Sequence, residues 1–442
     1  MTRFNTLLTA LETLEKSLKN KNTIRNFLGD IIEKCNTLED YLLFSEYCST
    51  LNEHALALKS SEFAYSMAQS NEDLFLCRKR LATCFLNLNY PEKSIFYLDI
   101  NNENSNNNFD TLTSLAAAYK FNGQRDKCEQ LLDDIRNSEW VTKEQVDALD
   151  VTTSYRLLKS GKVAKGIEKY LLTRKEAPKI FDIYGMKRWD GIFRPGIEIY
   201  ISAAGGIGDE IINFRFINTL KKNGMYPIYY SDLARHDLYD VFSRHGVEVI
   251  KNPIEIDKNL RWVDCMELPI LMNVSENDLW DGAYIKSIKT IDTTAKTKKR
   301  LAIKVESSKE FSQHNLRKAP DLIEILNYIP EDYEVTVIQR NEVTDPIDGV
   351  NYLIEDNWEE TIDTLATMDV VLSICTSVAH LSSAMGIKTL VLVPLLEYYT
   401  WTSTQNITTP WYSDSTILFR QTKPRHWADQ LQKIQGELTK DG

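Results

Sequence analysis

From Lys187 onward the chain alternates between two hydrophobic periods, and this alternation constrains its fold more than any other feature. IEIYISA (197–203) is a short apolar run rich in β-branched residues. It enters AGGIGDE (204–210), and IINFRFINTLKKNG (211–224) then has helical periodicity closing on Gly224. PIYYS (227–231) reads as a second strand, LYDVFSRHG (238–246) as a helix and VEVI (247–250) as a third strand. Short strands joined through helices form parallel sheets. The polar stretch TIDTTAKTKK (290–299) breaks the pattern, which restarts with strands at 300–306, 333–339, 369–375 and 388–394. Helices at 320–329, 357–368 and 376–386 fall between them, the last closed by Gly386, and a terminal helix covers 426–438. Two α/β units joined by a linker, with a cleft between them, are expected.

Residues 1 to about 180 read as helices almost throughout. LATCFLNLNYPEKSIFYLD (81–99) aligns without gaps on LAAAYKFNGQRDKCEQLLD (115–133), at an offset of 34. Matched pairs include Ala82/Ala116, Phe85/Tyr119, Asn89/Gly123 and Leu98/Leu132. Small residues let two helices approach, aromatics fill the groove and Asn or Gly takes the turn. A 34-residue helix–turn–helix period is the tetratricopeptide signature. Weaker copies lie at 155–172, with Gly161 at the turn, and at 44–65. The stack either scaffolds the rest or offers a concave binding surface. NNENSNNNF (101–109) is expected to be a solvated loop.

Composition limits what such a chain does. Of 442 residues, 43% are hydrophobic, enough for real cores. Lys and Arg total 52 against 63 Asp and Glu, a net charge of −11, which argues against a general nucleic-acid binder. No apolar run has the roughly 18–20 residues of a membrane helix. The start, MTRFNTLLTALETLEKSLKNKN, carries Glu12 and Glu15 and is not expected to be a secretory signal. Seven cysteines without a C-x-x-C pair read as free thiols of a cytoplasmic protein. Six histidines show no metal-ligand spacing, so no metal is expected.

Four constellations carry candidate chemistry. Gly205, Gly206 and Gly208 allow a tight turn and room for a ligand over a helix N-terminus. The G-x-G-x-x-G spacing of a dinucleotide site is missing. Asp209 sits in the first helical turn, where it is either a functional acid or an ordinary capping charge. Cys375-Thr376-Ser377-Val378-Ala379-His380 follows a buried strand. Thr376 or Ser377 is an N-cap or part of a phosphate site, and His380, one turn on, either faces the same ligand or is structural. SSKEFSQHNLRKAP (307–320) is a polar loop with His314, Asn315, Arg317 and Lys318. Tyr398, Tyr399, Trp401, Trp411, Tyr412 and Trp427 form an aromatic tail, most of it expected to pack in the core.

With these residues in view, the span from RWDG (188–191) to about residue 432 resembles a tetratricopeptide-linked glycosyltransferase related to the ADP-heptose heptosyltransferases. The similar motifs, in order, are RWDG, GGIGDEIINFRF (205–216), WVDCMELP (262–269), SICTSVAHLSSAMG (373–386), VLVP (391–394) and TPWYSDSTILFRQ (409–421), followed by Trp427. The resemblance implies a two-Rossmann, type B glycosyltransferase fold behind an all-α tetratricopeptide-like repeat domain. It divides the chain into repeats (1–185), an acceptor-side half (186–295) and a nucleotide-sugar donor half (296–442). It also implies sugar transfer from a nucleotide-diphosphate donor, with no bound metal or other cofactor.

By the same resemblance Asp209 matches a general base. Thr376, Ser377 and His380 fall on the donor diphosphate motif, with Arg317 facing it. Gln339 falls near the nucleoside pocket, for which Trp401 is a further candidate. The chain departs from the family at Cys375, where Asp is common, at Ala204 and Gly205, where an acidic residue and Gln often stand, and at Tyr398–Trp401, where an Asp–Trp–Arg–Trp run is usual. These departures leave an altered donor or a degenerate enzyme open. The acceptor is a hydroxyl or side chain, on a protein, glycan or other macromolecule docked with help from the repeats. Rival readings are a non-catalytic helical-repeat adaptor and a transferase acting on modified nucleic acid.

Overall fold

The computed structural model describes residues 28–104, 108–172, 178–230, 236–252, 255–289, 298–306, 318–341, 343, 345–354, 357–402 and 407–440. The chain folds as two compact units: the first holds the chain through Val146 together with Lys318 and Thr422–His426, and the second begins at Asp147. In the first unit α1 (Leu38–Thr50), α2 (His54–Met67), α3 (Asn71–Asn87), α4 (Pro91–Asn104), α5 (Phe109–Phe121) and α6 (Arg125–Arg136) pack consecutively, each on the next in this series. Three residues separate α1 from α2, α3 from α4 and α5 from α6. The middle one is left-handed each time: Asn52 (φ 63°), Asn89 (φ 63°) and Gly123 (φ 77°). The next N–H reaches back five residues, from Glu53 to Cys48 (2.9 Å), Tyr90 to Phe85 (2.8 Å) and Gln124 to Tyr119 (2.9 Å). This closure satisfies carbonyls that a helix end leaves open. Asn87 and Phe121 end α3 and α5, while Pro91 and Arg125 begin α4 and α6, so the offset of 34 holds at the helix ends.

The asparagine-rich stretch corrects the sequence reading. Asn101–Asn104 form the last turn of α4, and the buried Asn101 donates its amide to the Phe75 carbonyl at 2.8 Å. A polar composition concealed a residue that bridges two helices. Positions 105–107, like the amino-terminal stretch 1–27, lie outside the described residues.

The second unit begins with one more helical hairpin, α7 (Asp150–Lys159) and α8 (Val163–Leu172). Its turn is the same, with Gly161 at φ 74° and the Lys162 N–H 2.9 Å from the Leu157 carbonyl. A repeat domain running to residue 185 was expected. The hairpin instead joins the α/β unit, because Leu158, Val163 and Ile167 are part of that unit's core.

Two all-parallel sheets follow. The first has the order β3 (Glu248–Ile250), β2 (Tyr226–Tyr230), β1 (Glu198–Ser202), β4 (Arg261–Asp264). The second has the order β10 (Thr416–Arg420), β9 (Lys388–Val393), β8 (Val370–Ile374), β5 (Lys299–Lys304), β6 (Tyr333–Gln339), β7 (Val350–Ile354). Strand order reverses between β1 and β4 in one sheet and between β5 and β8 in the other. Open α/β sheets bind ligands outside the carboxyl ends of the strands at such reversals. Strands β4, β7 and β10 are additions to the sequence reading. All three are edge strands of four or five residues.

RWDG ties the segment ahead of β1 to β4. The Trp189 N–H donates to the Trp262 carbonyl at 2.8 Å. Arg188 lies over the Trp262 ring at 4.1 Å and grips Glu267 with one guanidinium nitrogen. Gly191 is left-handed at φ 77°, and a β-carbon there would meet the Leu271 carbonyl oxygen at 2.7 Å. No described helix is long and apolar enough to cross a membrane. None of the seven cysteines forms a disulfide, and only Cys375 escapes full burial.

Candidate active site

Two strand–turn–helix corners form at the two strand-order reversals. At the first, buried β1 runs through Ala203–Gly206 into α9 (Ile207–Lys222). Gly205 turns the chain at φ 70°, and a β-carbon on it would come within 2.7 Å of Asp209 Cγ. The Asp209 carboxylate is buried. Its Oδ2 accepts from the Gly206 N–H at 2.8 Å, closing the helix start. Its Oδ1 accepts a short hydrogen bond from the Tyr398 hydroxyl. The capping role weighed from sequence is therefore filled by one oxygen, while the other faces an aromatic residue of the opposite half. Burial and then the Asp209 charge push the Tyr398 hydroxyl well above its ordinary pKa, so it stays protonated and donates.

At the second corner, fully buried β8 ends at Cys375, and Thr376 is the N-cap of α12 (Ser377–Ala384). Here α10 is His236–Arg244 and α11 is Trp358–Ala366. Thr376 makes no side-chain bond to its own helix; its Oγ1 lies 2.9 Å from Ser373 Oγ instead. The first turn of α12 is thus left without a side-chain cap, the arrangement that receives anions. Lys304, only 2% exposed, closes β5 directly beside Ser373. Burying an ammonium is costly, so a lysine enclosed at a strand-order reversal is a functional candidate.

His380 lies one turn into α12 and is buried. It stacks on Trp401 with ring centres 4.6 Å apart and planes 7° apart, and its Nδ1 is 2.9 Å from the Tyr412 hydroxyl. Burial, and then the nearby Arg215 charge, lower its pKa to about 3, so the ring is neutral at physiological pH. The two corners touch here. A β-carbon on Gly208 would lie 3.1 Å from His380 Cδ2 and 3.8 Å from the Ser377 Cα. A glycine is needed at 208 because a side chain would push the two helix starts apart.

Among the residues read from sequence, Gly205, Gly206, Gly208, Asp209, Cys375, Thr376, Ser377 and His380 all belong to these two corners. Gln339 ends β6 on the same edge of the second sheet and donates to the Asn341 carbonyl at 2.7 Å. Trp401 is wholly enclosed behind His380, so it backs the histidine and presents no face to a base. Arg317, with His314 and Asn315, lies outside the described residues. Tyr399, Trp411, Tyr412 and Trp427 are buried, as expected of core aromatics. Sequence reasoning passed over Lys304, Arg215 and the Tyr398 bond to Asp209. The signal for Lys304 was a lysine closing an apolar run just ahead of a polar loop. No group of three or more His, Cys, Asp or Glu among the described residues is placed to hold a metal.

No protein-family model and no curated protein matches the sequence. Among solved structures the chain is similar to the E. coli heptosyltransferase WaaC with ADP, at 9% identity and TM-score 0.39, over 55% of this chain and 100% of that one. It is similar to a Thermobaculum terrenum O-GlcNAc transferase mutant at 10% identity and TM-score 0.33, over 100% of this chain and 94% of that one. It is also similar to the iron-containing dodecameric glycosyltransferase TibC of enterotoxigenic E. coli, at 12% identity and TM-score 0.36, over 58% of this chain and 75% of that one.

Proposed function

We propose that the second unit is a glycosyltransferase of the two-Rossmann, type B kind, moving a sugar from a nucleotide-diphosphate donor to an acceptor hydroxyl. The observation that carries this reading is the meeting of two unlike corners. One offers a buried carboxylate, and the other offers an uncapped helix start beside a buried lysine. In this reading Asp209 takes the proton of the acceptor hydroxyl while that oxygen attacks the anomeric carbon. The bond from that carbon to the diphosphate oxygen breaks, and the nucleoside diphosphate leaves with the electron pair. The diphosphate rests on Thr376, Ser377 and the first turn of α12, with His380 and Lys304 around it and Gln339 toward the nucleoside. Helix dipole and cations then do what a divalent ion does in metal-dependent transferases, and no cofactor enters. The acceptor hydroxyl takes the place that the Tyr398 hydroxyl holds on Asp209.

The helical hairpins fit tetratricopeptide-like repeats, and we assign them the selection of a macromolecular acceptor, a protein or glycan. A second reading, a helical-repeat adaptor with a relict transferase fold, draws on Cys375 at the corner and on the two hydrogen bonds already held by Asp209. A screen of nucleotide sugars for thermal stabilisation and hydrolysis separates them. Stabilisation by one nucleotide class with slow donor hydrolysis is expected. A flat response to every nucleotide sugar would overturn the transferase reading in favour of the adaptor.

A further inference from the structure

The segment 397–401 carries the tyrosine that meets Asp209, and it is fastened at both ends. The Glu397 carboxylate, 2% exposed, accepts from Arg420 Nη1 at 2.9 Å. Nη2 of the same guanidinium donates to the Trp401 carbonyl at 2.6 Å. From α7 the Tyr155 hydroxyl donates to the Glu397 carbonyl at 3.1 Å. The Thr409 hydroxyl donates to the Thr400 carbonyl at 2.9 Å. Tyr398 stands inside this fastened segment. Its ring centre lies 4.6 Å from that of Tyr399, and 6.3 Å from that of Tyr170 on α8, which meets it edge-on. The His380 ring of the second corner is also 6.3 Å away. With the backbone held, these rings aim the Tyr398 hydroxyl at Asp209 Oδ1, to which it donates.

Both oxygens of the carboxylate are thus engaged, since Oδ2 accepts from the Gly206 N–H. A base takes a proton only from a group within hydrogen-bond reach. Another hydroxyl reaches Oδ1 only by displacing the phenol. Water brings one small molecule to that exchange and no other contact. A docked acceptor brings the binding free energy of its whole contact surface, which is available to move Tyr398 aside. The difference decides the fate of the donor. A water that attacks the anomeric carbon and passes its proton to Asp209 releases free sugar and nucleoside diphosphate, and no transfer occurs.

We propose that Tyr398 is a specificity-determining residue that guards Asp209 against water, so that the activated sugar passes to an acceptor and is not hydrolysed. The proposal deepens the transferase reading and rests on it. Because the backbone on both sides is fastened, the phenol leaves Asp209 by turning about its own side-chain bonds.

The test uses the full-length protein without acceptor, and a panel of ADP-, GDP-, UDP- and dTDP-sugars. Tyr398→Phe keeps the ring and removes the hydroxyl. For a nucleotide sugar that binds, hydrolysis at about pH 8 should rise about tenfold, the effect of one charge-assisted hydrogen bond, with donor affinity close to wild type. Loss of a hydrogen bond donated to the carboxylate also raises its pKa, so the acid limb of the pH–rate profile should move to higher pH. In an Asp209→Asn background the same change should leave hydrolysis unaltered, whereas a general loosening of the site would raise it there too. Unchanged or slower hydrolysis by folded Tyr398→Phe would overturn the proposal, as would an increase that persists with Asp209→Asn. Sugar mass appearing on Tyr398 of the wild type would overturn it as well, because the phenol would then be an acceptor. If the wild type cleaves a nucleotide sugar and the variant cleaves it no faster, the guard fails while the transferase reading stands. If neither protein binds or cleaves any of them, the transferase reading fails and the guard fails with it.

Discussion

At the end of β1 the helix that follows is closed by a carboxylate of its own first turn, whereas at the end of β8 it is left open. Gly206 N–H to Asp209 at 2.8 Å closes α9, and the N-cap Thr376 turns its hydroxyl back to Ser373 and leaves α12 uncapped. The partners differ in the same sense. Around Asp209 stand hydroxyl and amide donors, while around the start of α12 stand Lys304, a neutral His380 and, behind it, Arg215. A helix start carries a partial positive charge that either a side chain or a ligand can answer. In one half the protein answers it with the buried Asp209 carboxylate. In the other half the protein abstains and the helix start carries no side-chain cap. A donor that departs as an anion and an acceptor that loses a proton need this pairing of unlike corners.

The comparison is most exposed to breakage at Asp209. Asp209→Asn keeps the size and a cap to Gly206 but no longer accepts a proton. Transfer rate should fall by about 10²–10⁴, with nucleotide affinity close to wild type, measured as initial rates beside calorimetric titration. A drop in nucleotide affinity with an unchanged rate would mean that the roles of the corners are reversed. At the open corner, Lys304→Met should weaken nucleoside-diphosphate binding about tenfold to a hundredfold, the loss of one charge-assisted bond of roughly 1.5–3 kcal/mol. Binding left intact would reduce Lys304 to a lysine buried for packing.

His380 sharpens the same contrast through pH. Its native pKa is lowered to about 3 by burial and by Arg215, against an ordinary value of 6.5. Below pH 6.5 the unfolded chain binds the proton and the native ring does not, so stability falls as pH drops and is flat above 6.5. At pH 5 this residue alone should cost about 2 kcal/mol relative to neutral pH. His54 and His245 are also lowered, chiefly by burial, so the difference between wild type and His380→Gln isolates the effect. Melting curves from pH 8 to pH 5 that stay parallel for the two proteins would show His380 to be protonated in the fold.

How far the sequence led depended on whether a feature was local. The corners were legible because glycines, hydroxyl residues and an acid next to an apolar run are determined by one segment. The repeat turn was legible at Asn89 and Gly123 for the same reason, since left-handed backbone favours those residues. What escaped notice was made by contacts between distant segments. Arg215 meets Trp411 across nearly two hundred residues, and Tyr398 meets Asp209 across a similar span. Nothing local marks Tyr412 as the partner of His380. Trp401 looked available for stacking because aromatics near a site often are, and only the fold reveals that His380 covers it.

The smallest expected effect is also the most direct test of the comparison, because it converts one corner into the other. Thr376→Asp would place a carboxylate where α12 has none, in the extended backbone that an N-cap requires (φ −125°, ψ 170°). Aspartate is among the strongest N-caps, and gaining such a cap contributes about 1 kcal/mol. The same charge would occupy the N–H groups proposed for the diphosphate and would repel that anion. The melting temperature should therefore rise by a few degrees at pH 7, while nucleoside-diphosphate binding weakens at least tenfold. The loss of the Thr376–Ser373 contact works against the stability gain, so Thr376→Ala, which removes that contact and adds no cap, is the reference. Opposite signs for stability and binding are what an open helix start held for a ligand requires. If Thr376→Asp binds nucleoside diphosphate as well as Thr376→Ala does, the anion does not rest on the start of α12, and the contrast between the corners is one of local structure alone.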